Sequence, residues 1–152
     1  MLNKFAFDKY DIALITDEKE RLYYLGFHST AGYVAVTKTG VSFVVDNRYF
    51  KAAEKNLTKK GVKVISGVDY SVLTKIAEEI NAKTIGIDFT KVTISEYENL
   101  KNLGYDYADI SSELTAMAAI KSDEELKYIQ KACDIAEKSW LNVLPFIKEG
   151  IT

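Results

Sequence analysis

The sequence comprises 152 residues, 47% of them apolar and 28% charged, with a formal net charge of −2. This length and balance describe one globular domain of ordinary size with room for an appendage, and exclude a disordered chain. The near-neutral charge gives no electrostatic case for nucleic acid or an anionic membrane as partner. Basic residues are dispersed, and the densest cluster, Lys59-Lys60 with Lys63, frames a helix C-terminus where cations are favoured in any fold.

Taken in order, Asp11 to Thr16 is a short apolar run, expected as a buried strand. Asp17, with Glu20 three residues on, is an N-cap signal opening a helix through Leu25. A glycine-bounded loop, Gly26 to Gly32, leads into a strand over Tyr33–Thr37, a turn at Lys38-Thr39-Gly40 and a second strand over Val41–Val45. Glycines flanking this His-Ser-Thr loop let its backbone approach something closely. Residues 49–60 read as a helix stopped by Gly61, followed by a strand over Val62–Ile65. Ser71 to Ile80 is an amphipathic helix with Val72, Leu73, Ile76, Ala77 and Ile80 on one face. Thr84–Ile87 is a strand, Thr93 to Glu96 caps a helix ending near Gly104, and Tyr105–Ile110 is a further strand or extended segment. Strands alternating with helices of about three turns predict an α/β fold, its sheet covered on both faces and made mixed by the hairpin.

Residues 111–121, SSELTAMAAIK, are expected to join this domain to something different. From Ser122, whose capping box is completed by Glu125, one long helix follows. Its apolar positions Leu126, Ile129, Cys133, Ala136, Trp140, Val143 and Ile147 alternate three and four apart, a stripe that needs a partner surface. Pro145 is expected to kink or end it. A long amphipathic helix in this place suggests a second domain beyond it.

Several constellations bear on chemistry. Asp17, Asp46, Asp88 and Asp109 stand at or near strand ends, where carboxylates can converge on two magnesium ions; the plainer reading is that each caps a helix or turns the chain. His28 is the lone histidine, so no redundant triad or multi-histidine zinc site can be built. Cys133 falls on the apolar stripe and reads as a small core residue, and a lone cysteine fits a reducing cytoplasm. No apolar run approaches membrane-spanning length, and residues 1–16 lack a signal-peptide layout. Arg48, between Asp46 and Tyr49, presents a planar fork suited to a carboxylate; the alternative is a surface pair with Asp46.

The stretch Tyr24-Leu25-Gly26-Phe27 with Ala31-Gly32-Tyr33, then Val45-Asp46-Asn47-Arg48-Tyr49, resembles the amino-terminal domain of the creatinase and Xaa-Pro peptidase (prolidase, aminopeptidase P) family. Ile120 to Leu126, followed by Ile129-Gln130-Lys131-Ala132, is similar to the segment that opens that family's catalytic domain, and Gly150-Ile151-Thr152 to the one after its first helix. The sequence departs from the pattern at Ser29-Thr30 and at Asn47, which stands where the family has glycine.

The resemblance implies a three-layer α/β/α domain with a mixed sheet, ribonuclease H-like in outline, over residues 1–118. Residues 119–152 would be a linker and the first helix of a truncated "pita-bread" metallopeptidase domain. It implies no catalytic residue, metal ligand or cofactor in this chain, and two divalent ions (manganese, cobalt or zinc) in the missing domain, held by two aspartates, a histidine and two glutamates. The implied role is to pair subunits, in a homodimer or higher assembly, and to close the neighbouring subunit's pocket around a proline-containing peptide. Arg48, His28, Asp46 and Tyr49 are the candidate substrate contacts. The parent would be a cytoplasmic Xaa-Pro dipeptidase or aminopeptidase; the alternatives are a creatinase-like amidinohydrolase and a non-enzymatic binding module of the same family.

Overall fold

A computed structural model describes residues 5–67 and 69–151. The chain falls into two compact units, Met1–Thr115 and Ala116–Thr152. The first is built on six strands, β1 (Ile12–Ile15), β2 (Tyr33–Thr37), β3 (Gly40–Val45), β4 (Val62–Ser66), β5 (Thr84–Ile87) and β6 (Asp106–Asp109), in the order β4-β3-β2-β1-β5-β6. β2 runs antiparallel to both neighbours, and the other pairings are parallel. The sheet is therefore mixed, as the hairpin predicts. Thr37 pairs with Gly40, so the hairpin turn narrows to Lys38-Thr39.

Side chains alternate across the sheet. Ile12, Leu14, Tyr33, Ala35, Val44, Ile85 and Ile87 meet Leu73, Ile76 and Ala77 of α3 (Ser71–Glu79) and Leu100 of α4 (Ile94–Lys101). The alternate set, Ala13, Ile15, Val34, Val36, Phe43 and Val45, is equally buried. The buried residues of α1 (Glu18–Leu25) and α2 (Asn47–Leu57), and Leu114 of α5 (Ser111–Ala119), supply the third layer. Residues 58–60 tighten into a 3-10 turn closed by Gly61 at φ 79°.

The segment expected to be a joint, residues 111–121, is largely the helix α5. Its first turn docks onto the domain: Glu113 accepts hydrogen bonds from the Ala6 amide at 2.8 Å and the Tyr10 hydroxyl at 2.7 Å, and Leu114 is buried. The apolar residues of SSELTAMAA are spread around the helix, so no one-sided stripe announces it.

In the second unit, α6 (Asp123–Val143) opens with the expected capping box, Ser122 Oγ taking the Glu125 amide and the Glu125 side chain the Ser122 amide. It ends where predicted, in a 3-10 turn over Leu144–Phe146 that contains Pro145. Leu126, Ile129, Trp140, Val143 and Ile147 are exposed, and so is Cys133, which corrects its reading as a core residue. The stripe lies on a helix with no buried residue, so apolar periodicity here marks an available face rather than a filled core.

Candidate functional site

With β1, β3, β4, β5 and β6 parallel, their carboxyl ends share one edge of the sheet, beside the start of β2. In open α/β sheets this edge is where ligands are met. Asp17, Asp46, Asp88 and Asp109 all arrive there, and each is engaged in turning the chain. Asp17 caps α1, accepting from the Lys19 and Glu20 amides, both at 3.0 Å. Asp46 caps α2 through the Arg48 amide at 2.9 Å. Asp88 takes the Thr90 amide and hydroxyl at 2.7 and 2.6 Å, and Asp109 the Ser111 amide and hydroxyl, both at 2.9 Å. Among the described residues no three acidic, histidine or cysteine side chains group as metal ligands, and the plainer of the two readings, capping and turning, describes all four aspartates.

The loop between α1 and β2 is closed at both ends by glycine. Gly26 ends α1 in the left-handed conformation, φ 63°, its amide donating to Leu22 O. Gly32 sits at φ 109°, where a Cβ would lie 2.3 Å from Val44 O. The close approach expected at the loop's glycines is thus made by Gly32, to the chain's own β3. Between them His28 is exposed, its side chain 61% accessible, with Nε2 2.9 Å from Glu18 Oε1.

Asp46, Arg48 and Tyr49 form a second group at the same edge. Arg48 Nε and Nη2 both donate to Asp46 Oδ2, at 2.9 and 2.5 Å. The Arg48 hydrogen bond holds the Asp46 carboxyl below its ordinary range, and the same contact raises the guanidinium, so the pair stays ionised. Asp46 is nearly covered and Arg48 71% exposed, which fixes the anion and leaves the cation forward. Arg48 also lies 5.6 Å from the Tyr49 ring centroid. The Tyr49 hydroxyl shares a 3.1 Å hydrogen bond with Thr30 Oγ1, joining this group to the glycine-bounded loop. Asn47, in the place of the family's glycine, accepts from Ser66 Oγ at 2.6 Å and ties α2 to the end of β4.

A cleft of about 160 Å³ opens at this edge, lined by Thr16, Gly32, Tyr33, Gly67, Tyr70 and Glu96. None of the four sequence-predicted residues lines it. Its Tyr70 hydroxyl donates to Glu96 at 3.0 Å, a pairing between α4 and the residue before α3 that sequence spacing does not reveal.

Two further roles lie outside the sequence reading, which left Arg21 unassigned and gave Glu20 only to the start of α1. Arg21 is 3% exposed and donates to Thr16 O and, at 2.9 Å, to Ser29 O. The available signal was its place on the apolar face of α1 with Tyr24 and Leu25, three and four residues on. Glu20, half-buried on α1, meets the carboxyl group of Asp88; burial first, and the Asp88 charge and hydrogen bond next, push it up to about 7. A carboxyl raised from 4.5 in the folded state favours folding most below its unfolded value, and that contribution fades as pH climbs through 7. Glu20→Gln should therefore flatten the fall in stability between about pH 5 and 8, by on the order of 1 kcal/mol once solvent screening of this half-exposed group is allowed for. Urea midpoints across that range check it, and equal pH slopes in both proteins would contradict it.

A candidate Xaa-Pro aminopeptidase of Mycoplasma pneumoniae is 29% identical over 145 residues, covering 95% of this chain and 40% of that protein. Among solved structures, the Xaa-Pro dipeptidase from Bacillus anthracis superposes with a TM-score of 0.87 at 28% identity, over 97% of this chain and 42% of that one. The N-terminal domain of the cytoplasmic peptidase PepQ from Mycobacterium tuberculosis H37Rv shares the fold, with a TM-score of 0.63 at 20% identity over 76% of this chain and 92% of that one. The chain spans about 40% of the length of the curated relatives it matches. A family model described as the Creatinase/Prolidase N-terminal domain matches residues 2–120, and the chain belongs to that family.

Proposed function

We propose that this chain is the non-catalytic amino-terminal domain of a cytoplasmic Xaa-Pro dipeptidase or aminopeptidase, and that it pairs subunits and closes one wall of the neighbouring subunit's substrate pocket. The observation that carries this reading is the presentation of Arg48. Asp46 grips the guanidinium through Nε and Nη2, which leaves Nη1 unengaged among the described residues on a side chain 71% exposed. A cation held on one side and open on the other suits the carboxylate or a carbonyl of a bound peptide. His28, on the loop tied to this group through Thr30 and Tyr49, is the second forward-facing residue.

The remaining chemistry belongs to the catalytic domain that follows in the longer relatives. Two divalent ions there (manganese, cobalt or zinc) would activate the water that cleaves the bond before proline. The described residues of this chain do not fit such a pair of ions, since they provide no group of three ligands. Their part is to bind, orient and exclude water at the pocket wall. α6 then serves as the first helix of that following domain, which accounts for its exposed stripe. The relative described as cytoplasmic supports the location, and no helix among the described residues is long and apolar enough to cross a membrane.

Assayed alone with Xaa-Pro dipeptides and manganese, cobalt or zinc, the 152-residue chain should show turnover no faster than buffer. Saturable, metal-dependent hydrolysis that follows the pure protein through purification would overturn this assignment.

A further inference from the structure

We propose that Arg21 is the positioning residue of the candidate site: its buried guanidinium fixes the Gly26–Gly32 loop, and His28 with it, against the end of β1. The functional meaning rests on the reading that this loop reaches a neighbouring pocket, but the order that Arg21 imposes belongs to this chain alone.

Arg21 is a charge taken out of water, at 3% exposure, and it forms no ion pair among the described residues. Burying an unpaired cation costs several kcal/mol unless its donors find partners. Burial accordingly lowers its pKa, against the opposing field of Glu18, Asp17 and Glu96. What it obtains in return is two backbone carbonyls. Nη1 donates to Thr16 O, one residue past β1, and Nη2 to Ser29 O in the middle of the loop at 2.9 Å. The loop residue it holds is itself 1% exposed, next to the exposed His28.

Past Phe27, whose ring packs edge-on against buried Phe43 at 6.1 Å, the loop has little else to order it. Among the described residues, no backbone–backbone hydrogen bond ties residues 27–31 to the rest of the chain. The other polar side-chain ties, His28 with Glu18 and Thr30 with Tyr49, lie at the surface, where such contacts contribute little. The nearby Lys60 Nζ bond goes to Leu25 O, before the loop begins. An apolar side chain of Arg21's length would fill the same space and leave both carbonyls without a donor. The guanidinium is thus explained by the two points it connects rather than by the volume it occupies.

The test is backbone order, read residue by residue from amide relaxation, in the intact 152-residue chain and its Arg21→Lys and Arg21→Met variants. Both variants should lower the order parameters of residues 28–31 from a rigid value of about 0.85 toward about 0.6, Met more than Lys, with those of β1 and β5 unchanged. Unchanged loop order would overturn the proposal, and so would equal loss in loop and sheet, the mark of a merely structural role. A native-chain measurement covers the case in which a variant does not fold. The Arg21 Nη protons should give resolved, slowly exchanging signals at neutral pH, with through-bond coupling to the Ser29 carbonyl; averaged, fast-exchanging signals would overturn it equally. None of these readouts depends on a neighbouring subunit, so the inference and the pocket-wall reading fail separately.

Discussion

Gly32→Ala should leave little folded protein. The residue stands at φ 109°, in a region open essentially to glycine alone, and the strain of an L-residue there is about 1–3 kcal/mol by itself. The added methyl would also lie 2.3 Å from Val44 O and 3.2 Å from Val45 Cα. Both obstacles are backbone atoms of the buried end of β3, and Tyr33, the next residue, is already in register with Val44. Nothing flexible can yield, so relief requires shifting β2 against β3. A loss above about 4 kcal/mol, beyond the usual range for point changes, is expected in chemical denaturation. Gly26→Ala provides the internal comparison. Its φ of 63° is a left-handed helical value, and its new Cβ would meet only Lys60 Nζ, the end of a flexible side chain, at 3.4 Å. The cost there should be about 1–2 kcal/mol. Equal effects at the two glycines would show that the loop, rather than β3, takes up the strain.

This contrast also marks how far the sequence could be read. Two glycines bounding a polar loop show that the chain turns and approaches something closely, but a linear pattern does not say what. A ligand and the chain's own strand leave the same signature. The structure assigns Gly26 to ending a helix and Gly32 to touching β3, which moves the functional weight to the residues between them.

The hairpin, the parallel strands and the caps at Asp17, Thr93 and Ser122 were legible because each is specified within a few residues: alternation, a turn dipeptide, or a side chain that reaches its own helix. The order β4-β3-β2-β1-β5-β6 was not, because sequential spacing leaves open on which side of β1 the later strands add. α5 was missed for a different reason. What docks it is Glu113 receiving Ala6 and Tyr10, more than a hundred positions away, and no local periodicity encodes that. Arg21 and the Asp88 contact of Glu20 were missed because no helix or strand period encodes their partners, for Arg21 a carbonyl in the following loop and for Glu20 an aspartate just past β5. Charged residues on a short helix read as solvated until tertiary contacts bury them.

The sharpest expectation for the site concerns Arg48 in the longer peptidase to which the proposed function assigns this domain. Arg48→Ala should lower kcat/KM for Xaa-Pro peptides roughly ten- to a hundredfold, the range expected when one charge-assisted contact to substrate is lost. Metal content and circular dichroism should stay at wild-type values, because the side chain is exposed and its hydrogen bonds go to Asp46 alone among the described residues. His28→Ala should do less, altering preference among peptides more than the rate, since an exposed imidazole with the single partner Glu18 makes a poorer anchor than a guanidinium gripped through two nitrogens. Asp46→Ala is the informative third variant. It removes both the N-cap of α2 and the brace on Nε and Nη2, so Arg48 keeps its charge and loses its orientation. Its kcat/KM should fall between wild type and Arg48→Ala, with thermal unfolding measured alongside to separate the lost cap from the lost brace. If the ion pair is only a surface contact, Arg48→Ala and Asp46→Ala will both turn over peptides at the wild-type rate in a correctly assembled protein. That result would remove Arg48 from the pocket wall and leave the domain with subunit pairing alone.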